Sequence, residues 1–459
     1  MLCVLCLPLE VLAGKQPNIV MIMTDNLGYG DIGIYGGLRA PTPRIDQLAR
    51  SGIQFRDFQV EPACTPSRAA IMTGRMAVRS GTDAVLEPGV PGGLHPAEIT
   101  LAEMLGAAGY ATAHYGKWHL GFAHERQPQM QGFDDFWGIL FTSAPGDPAD
   151  PDFQAIGVPT QKVLAAKGGE KARVVGELTN EYRGFIDSDI TDRAVAYIRQ
   201  HAEGDQPFFL YVPFINPHNP VVAHPDFQGK SGGGAYSDAL MEIDHNTGRI
   251  LDAIADENIR EDTIVIWLSD NGPQRFTLEP YHFGDPGPWS GELGSVFEGG
   301  LRTAGMISWP GTIKPFVSDQ LVHSMDLFAT LARWAGAKIP EDRPIDSIDQ
   351  SDYLTQQAKD SKREYVMVFY NGQYAAMRFR HYKVMRAVYA CKGSLMSAPQ
   401  YLNSIPRIYN LRADPKEEYV ISGGPEGITR SLVLKEVSLR LAYKKRFEEF
   451  PNADYSYMK

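Results

Sequence analysis

The sequence predicts an α/β fold in which a mixed, mainly parallel central sheet is flanked by helices. Three continuous apolar runs, each the length of a buried strand, are separated by stretches of helical periodicity. The runs cover residues 18–24, 207–214 and 263–269. A run without polar alternation is typical of a strand that is covered on both faces, so we expect the sheet to lie between two helical layers.

Local signals place the other elements before the third run. Thr42 is a candidate N-cap that is followed by Pro43 at the first helical position, and Thr100 with Glu103 has the spacing of a capping box. Two longer stretches have apolar residues at helical spacing. In chain order we expect helix 42–52, strand 53–58, helix 99–109, strand 110–115, helix 188–201 and helix 235–257.

The pattern changes towards the C-terminus. A strand and turn at 306–311 and a helix at 323–331 precede a polar linker, 342–362. Period-two segments then flank Asn371-Gly372, which is a typical hairpin turn, and the chain closes with helical periodicity. The sequence therefore predicts a small antiparallel sheet from segments 364–370 and 374–388, followed by a helix over 428–450.

The chain has 459 residues, more than a single hydrophobic core normally supports, so one large and one smaller domain are expected. Its composition, 43% hydrophobic and 22% charged, is that of a folded globular protein. The formal net charge of −11 argues against a nucleic-acid binder and provides no long-range attraction for anionic substrates. No stretch is apolar over a bilayer-spanning length, so we expect no transmembrane segment.

Residues 1–16 have the composition of a short leader. Residues 1–14 are apolar and end in small residues, as a secretory signal does, although a basic start is missing. This favours a periplasmic or secreted protein over a cytoplasmic one. The leader holds Cys3 and Cys6, so Cys391 has no obvious partner and a disulfide framework is not expected.

Polar side chains follow two of the three apolar runs. Asp25 and Asn26 come directly after the first run, and Asp270 and Asn271 come directly after the third. In open α/β sheets, ligands bind at the carboxyl ends of the strands, which makes these residues candidates for a functional site. Taken alone, each pair could also be an ordinary strand-ending turn.

The segment Cys64-Thr65-Pro66-Ser67-Arg68 lies at the predicted start of a helix. Pro66 suits the first helical turn, so Cys64 is expected where free backbone N–H groups and the helix dipole favour an anion. Arg68, one turn further on, can point back and offer a cationic fork to sulfate or phosphate. Taken alone, a cysteine at such a place is more often a small buried apolar residue.

Two histidines follow predicted strands. His119 is two residues after Lys117, so in an extended segment both side chains point to the same side. His218 lies in the turn Asn216-Pro217-His218-Asn219-Pro220, after the second apolar run. The ordinary pKa of a histidine allows proton donation near neutral pH, which makes His218 a candidate general acid. Either histidine could instead be a hydrogen-bonded structural residue.

Taken together, these segments resemble the type I sulfatases. The resemblance extends from about residue 17 to residue 414 and rests on segments that occur in the family's order. These are the stretch 25–31, Cys64-x-Pro66-Ser67-Arg68 with Thr73-Gly74-Arg75, Gly116-Lys117-Trp118-His119, Pro217-His218, Asp270-Asn271-Gly272 and 298–302. The resemblance implies a fold of the alkaline-phosphatase type, with a catalytic domain over 17–345 and a C-terminal α+β subdomain over 363–459.

The resemblance also implies roles for these residues. A maturase would oxidise Cys64 to formylglycine, and a hydroxyl of the hydrated aldehyde would attack the sulfur of an aryl or carbohydrate sulfate ester. His218 would protonate the leaving oxygen, His119 would help to expel sulfate, and Arg68 and Lys117 would stabilise the sulfuryl oxygens. The implied cation is Ca²⁺ rather than Mg²⁺, and its ligands would be Asp25, Asn26, residue 64, Asp270 and Asn271.

Two positions depart from the family's pattern. Asn26 replaces the usual second aspartate, which lowers the charge of the site but keeps an oxygen ligand. Leu293 stands where many members have a sulfate-binding lysine. Either Lys117 and Arg68 suffice without that lysine, or Arg275 or His282 of the 274–283 loop substitutes for it. These departures keep two alternatives open: a phosphatase or phosphodiesterase of the same superfamily, and a catalytically silent protein that binds sulfated ligands. Two loops, 142–184 and 274–289, are expected to determine the substrate.

Overall fold

A computed structural model describes residues 15–87, 91–142, 160–274, 284–388, 400–402, 405–421 and 427–449. Residues 1–14 of the predicted leader, Cys391, Arg275 and His282 lie outside these ranges. Among the described helices, none combines the length and the apolar character that a membrane span requires.

The central sheet confirms the predicted α/β architecture. Its strands are β1 (Asn18–Thr24), β2 (Ile53–Gln59), β3 (Ala111–Lys117), β4 (Asp135–Ile139), β5 (Lys162–Lys167), β6 (Arg173–Glu177), β7 (Phe208–Pro213), β8 (Thr263–Ser269), β9 (Arg302–Ser308), β10 (Phe316–Ser318) and β11 (Val322–His323). The strand order is β10-β2-β9-β8-β1-β7-β3-β4-β5-β6, and β11 pairs with β2. Strands β8, β1, β7, β3 and β4 run parallel, whereas β9, β5 and β6 pair antiparallel with their neighbours.

Helices cover both faces of this sheet, and β1 shows why its sequence is apolar throughout. Val20 and Ile22 face a core formed with α1 (Pro43–Arg50), α5 (Asn180–Ala202) and α6 (Ala235–Asp256). Ile19, Met21 and Met23 face a second core formed with α2 (Cys64–Thr73), α4 (Leu101–Ala107) and α8 (Asp326–Ala335). A strand between two apolar layers has no solvent-facing side, so polar alternation is missing. The shorter helices are α3 (Ala77–Ser80), α7 (Glu298–Leu301) and α9 (Ser351–Leu354).

The smaller sheet lies towards the C-terminus. It is antiparallel, in the order β12 (Tyr365–Tyr370), β13 (Gln373–Phe379), β14 (Tyr382–Met385) and β17 (Arg407–Asn410), while β15 (Ala387–Val388) pairs with β16 (Gln400–Tyr401). Asn371 and Gly372 have φ of 48° and 74°, which agrees with the predicted hairpin turn. Helix α10 (Ile428–Glu449) packs on this sheet through Leu432.

Four expectations about the elements need correction. Segment 374–388 is three strands and not one: the chain reverses at Arg380, whose φ is 52°, between β13 and β14, and β15 leaves the smaller sheet to pair with β16. The region expected to be a loop, 142–184, contains the β5–β6 hairpin, and its residues 143–159 lie outside the described ranges. Helix α5 begins earlier than predicted, because the Thr179 hydroxyl accepts from Tyr182 N and caps it. Helix α8 begins three residues later than predicted, because His323 belongs to β11.

Candidate active site

The predicted site residues lie together at the carboxyl edge of the parallel strands. Thr24 of β1 pairs with Ser269 of β8, so Asp25 and Asp270 leave the sheet side by side. Asn26 adopts a positive φ of 64°, and its backbone N–H donates to Asp270 Oδ1 over 3.1 Å. The two strand ends are therefore hydrogen-bonded to each other, as the parallel arrangement predicted.

Cys64 is the first residue of α2 and faces these strand ends. Its Sγ lies 3.9 Å from Asn26 Oδ1. Ligand atoms of Asp25, Cys64 and Asp270 all lie within 4.8 Å of one another. Burial raises the pKa of the Cys64 thiol to about 12, although nearby Lys117 opposes the shift. An unmodified thiol here is protonated at neutral pH and is a poor nucleophile.

Two buried cations offset the charge of the two aspartates. Lys117 Nζ donates to Asp25 Oδ2 over 2.6 Å. Arg68 donates to Asp270 from both Nε and Nη2, and its Nη1 donates to the backbone oxygen of Lys117 over 2.7 Å. The sequence suggested the Arg68 guanidinium as a donor to sulfate or phosphate. In the structure its N–H groups instead donate to Asp270 and to the backbone at the end of β3.

The two histidines differ in how they are held. Strand β3 ends at Lys117 and His119 has a φ of 60°, so the extended geometry expected for this pair is wrong. His119 remains beside α2, because its backbone oxygen accepts from the Thr65 hydroxyl over 3.1 Å. Its Nε2 lies 3.0 Å from Leu86 O, and its buried Nδ1 has no hydrogen-bond partner among the described residues. Because a carbonyl oxygen only accepts, Nε2 carries the proton and Nδ1 presents a lone pair.

His218 is held at both ring nitrogens. Its Nδ1 lies 2.6 Å from Asn219 O, so Nδ1 carries the proton, and Nε2 accepts from the Thr142 hydroxyl over 2.7 Å. Burial and then the charge of Lys117 lower the pKa of His218 well below its ordinary value. The pKa of His119 is lowered well below its ordinary value for the same reasons.

The donor set fits a hard divalent cation. Two buried oxygens at the centre of the site, Asp25 Oδ1 and Asn271 Oδ1, have no hydrogen-bond partner among the described residues. Burial raises the pKa of Asp270, and the neighbouring charge of Asp25 adds to this shift. Unpartnered buried oxygens and adjacent carboxylates cost free energy, and a cation coordinated by oxygens removes this cost.

Two further residues of the site were missed by the sequence analysis. Gln274 Oε1 accepts from Asn26 Nδ2 over 3.0 Å and from Asn219 N over 3.2 Å, which ties the β1 end to the His218 turn. Thr142 is the partner of His218 described above. Neither residue belongs to a recognisable motif; only the position of Gln274, three residues after Asn271, could have suggested it.

Leu293, at the position of the missing lysine, is buried. It belongs to an apolar cluster with Ala63, the residue before Cys64, and with residues of β12 and β13. Its backbone N–H donates to Pro273 O over 2.9 Å, which fixes it beside the Asp270-Asn271-Gly272 turn. The leucine thus has a packing role at this place.

Comparisons with known proteins agree with the geometry. The sulfatase family model matches residues 17–337. Arylsulfatase A of Homo sapiens is 35% identical over 468 residues, which cover 95% of this chain and 89% of the relative. N-acetylgalactosamine-6-sulfatase of Canis lupus familiaris is 35% identical over 356 residues, covering 73% of this chain and 66% of the relative. The crystal structure of the PsFucS1 sulfatase from Pseudoalteromonas sp. has a TM-score of 0.88 and 29% identity, covering 96% of this chain and 92% of that chain. The chain belongs to the sulfatase family, within the alkaline phosphatase superfamily, and is a sulfuric ester hydrolase.

Proposed function

We propose that this protein hydrolyses a sulfate monoester of an aryl or carbohydrate alcohol through a formylglycine derived from Cys64. The observation that supports this most directly is the position of Cys64, at the N-terminus of α2 and within 4.8 Å of the Asp25 and Asp270 ligand atoms. A high thiol pKa makes the cysteine itself unsuitable as a nucleophile. The modified residue would supply a geminal diol, one hydroxyl of which attacks sulfur while the other later allows sulfate to leave.

The metal site in this proposal uses five residues and takes Ca²⁺. Its ligands would be Asp25, Asn26, residue 64, Asp270 and Asn271. Support comes from the two unpartnered oxygens. Once Cys64 is modified, all five residues would offer oxygen ligands and none would offer nitrogen or sulfur, which suits Ca²⁺. The ion would supply positive charge that favours deprotonation of the nucleophile and stabilises the sulfate group. Lys117 and Arg68 add two fixed positive charges on the side of Asp25 and Asp270.

The proton transfers in this proposal follow from the ring nitrogens of the histidines. His119 Nδ1 presents a lone pair, which suits the base that assists expulsion of sulfate. His218 Nε2 would donate to the leaving oxygen. Because the pKa of His218 is lowered by burial and by Lys117, His218 needs the negative charge of the bound ester to become protonated.

The rest of the proposal concerns partners and organisation. The substrate would be a small-molecule or glycan sulfate ester, and a formylglycine-generating maturase would act on Cys64. We propose residues 17–345 as the catalytic domain, 363–459 as a C-terminal subdomain, and export to the periplasm or the medium.

The experiment that tests the proposal combines mass spectrometry with activity. The peptide that contains residue 64 is analysed in protein from the native host, and sulfate release is measured with an aryl sulfate, the matching aryl phosphates and a panel of sulfated sugars. We expect formylglycine, release of sulfate in excess of phosphate, and no turnover by a Cys64→Ala variant that remains folded. An intact thiol together with inactivity would favour a silent binding protein, and preferred phosphate release would favour a phosphatase or phosphodiesterase.

A further inference from the structure

Helix α10 has an outward face that is apolar in its middle. Leu434, Val437 and Leu441 are 60%, 38% and 63% exposed. They are spaced three and four residues apart, so they lie on one side of the helix. A row of three exposed aliphatic side chains on one helix face differs from scattered surface leucines, which need no explanation.

The opposite face holds α10 on the body of the protein. Leu432 is buried against Met377, Val384 and Ile408 of the smaller sheet. The Tyr443 ring packs at a tilt against the Phe369 ring, with ring centroids 5.0 Å apart, and the Arg79 guanidinium lies 4.5 Å from the Tyr443 ring centroid. The exposed row therefore lies on the side of α10 that faces away from its contacts with the smaller sheet.

The row continues into cations at both ends. Arg430 is four residues before Leu434, and Lys444 and Lys445 are three and four residues after Leu441, so all share one face. Over its full length, 428–449, the helix contains six basic residues and three acidic ones, Glu436, Glu448 and Glu449. Glu436 is buried and accepts from Arg386 over 2.8 Å and from Arg440 over 3.3 Å. The helix therefore has a net formal charge of +3 in a chain whose formal charge is −11.

A groove of about 500 Å³ adjoins the row. Val437 and Leu441 form one wall, and Met367, Phe369 and Tyr374 of the smaller sheet form another. Arg440 and Lys444 also line it. The groove offers apolar surface and positive charge together, beside the row of aliphatic residues.

We propose that this face of α10 docks on an anionic lipid surface. Basic residues that flank exposed aliphatic side chains are the features by which an amphipathic helix lies in a membrane interface: the aliphatic residues enter the acyl boundary and the cations meet lipid phosphates. A second copy of the same face would place like charges against one another, which opposes self-association. A sulfated polymer would meet the cations but would leave Leu434, Val437 and Leu441 exposed to water.

Co-sedimentation of the full chain with vesicles tests this inference. Vesicles of equal parts phosphatidylglycerol and phosphatidylcholine are compared with vesicles of phosphatidylcholine alone, at low salt and at 0.5 M NaCl. The variants are Leu434→Gln with Leu441→Gln, and Lys444→Glu with Lys445→Glu. The matched controls are Leu38→Gln, at a leucine that is 97% exposed elsewhere, and Lys359→Glu, at an exposed lysine. Thermal unfolding checks that each variant is folded. If a double variant is unfolded, the single Leu434→Gln variant is tested in its place.

We expect the parent and both controls to bind anionic vesicles, with little binding to neutral vesicles, and each α10 double variant to bind about tenfold more weakly or less. High salt should weaken binding by the parent. Equal binding to both kinds of vesicle, no vesicle binding, or unchanged binding by the α10 variants would overturn the inference. Retention on immobilised heparin without vesicle binding would assign the face to a sulfated polymer, and a dimer that the α10 variants dissociate would assign it to a second copy.

Discussion

Arg68 donates from both Nε and Nη2 to one oxygen of Asp270, Oδ2, over 3.0 and 2.8 Å. The same guanidinium donates to the backbone oxygen of Lys117, so a single side chain joins α2 to the ends of β8 and β3. Only the planar fork of arginine provides donors in these directions at once. Arg68, one helical turn after the candidate nucleophile Cys64, thus also positions Asp270, a candidate metal ligand.

The first prediction concerns this pair. Replacing Arg68 by Met leaves Asp270 buried without its cation, which should destabilise the protein by about 3–5 kcal/mol. Arg68→Lys should recover part of the loss, because an ammonium keeps the charge but cannot make all three hydrogen bonds. The measurement is denaturant unfolding. Arg50→Met, at an exposed helix position, is the control and should change little. Equal stability of Arg68→Met and the control would show that Asp270 is not held in this way.

The main elements could be predicted because their signals are local. The apolar runs of β1, β7 and β8, the capping box of α4 and the Asn371-Gly372 turn each depend on neighbouring residues, and the structure contains each of them. The resemblance to sulfatases also selected residues that converge at one edge of the sheet. Parallel strands bring their carboxyl ends together, so the order of motifs along the chain was enough to predict this.

The contacts within the site could not be predicted in the same way. The hydrogen bonds from Arg68 to Asp270 join two residues that are 202 positions apart in the sequence. The partners Thr142 and Gln274 lie outside the motifs, and the positive φ of His119 depends on how the chain leaves β3. These features are set by tertiary packing, which periodicity and spacing do not encode.

The second prediction concerns the cation. Calcium should raise the melting temperature, because the ion binds the folded state and relieves the repulsion between Asp25 and Asp270. At free calcium of about 100 times Kd, the stabilisation should be about 2.7 kcal/mol. The measurement is calorimetry with calcium and with a chelator. Asp25→Asn should greatly reduce the calcium response, whereas Asp256→Asn, at an exposed position, should retain it. A full response in Asp25→Asn would place the ion elsewhere.

The third prediction concerns the turn after β8. A Cβ on Gly272 would lie 1.9 Å from Gly299 O, and Gly272 N also donates to Gly300 O over 3.0 Å. Gly272→Ala should therefore displace Asp270 and Asn271, lower the melting temperature and abolish sulfate release. Gly106→Ala is the matched control: its Cβ meets nothing within 4 Å, and it lies in α4. The control should be stabilised by about 0.5–1 kcal/mol. An active Gly272→Ala enzyme would mean that the turn tolerates displacement.

The fourth prediction concerns pH and stability. Burial, with Asp83 and Asp346 nearby, raises the pKa of Glu61 from 4.5 to about 8. Between these values the folded state holds a proton that the unfolded state releases, so this group lowers stability as pH rises. Glu61→Gln should therefore lose less stability than the parent between pH 5 and pH 8. The measurement is unfolding at several pH values. The comparison isolates Glu61 because all other titrating groups are shared, and parallel curves would contradict the assignment.

The fifth prediction concerns the proposed general acid. The Thr142 hydroxyl donates to His218 Nε2 over 2.7 Å and so favours the neutral ring, in addition to the effects of burial and of Lys117. Thr142→Val removes this donor and should raise the pKa of His218. Because a general acid acts while protonated, the alkaline limb of kcat/KM should move to higher pH, by roughly one unit or less. Thr142→Ser keeps the hydroxyl and should keep the parent profile. If Thr142→Val changed the rate at every pH equally, His218 would not be the group that loses its proton on the alkaline limb.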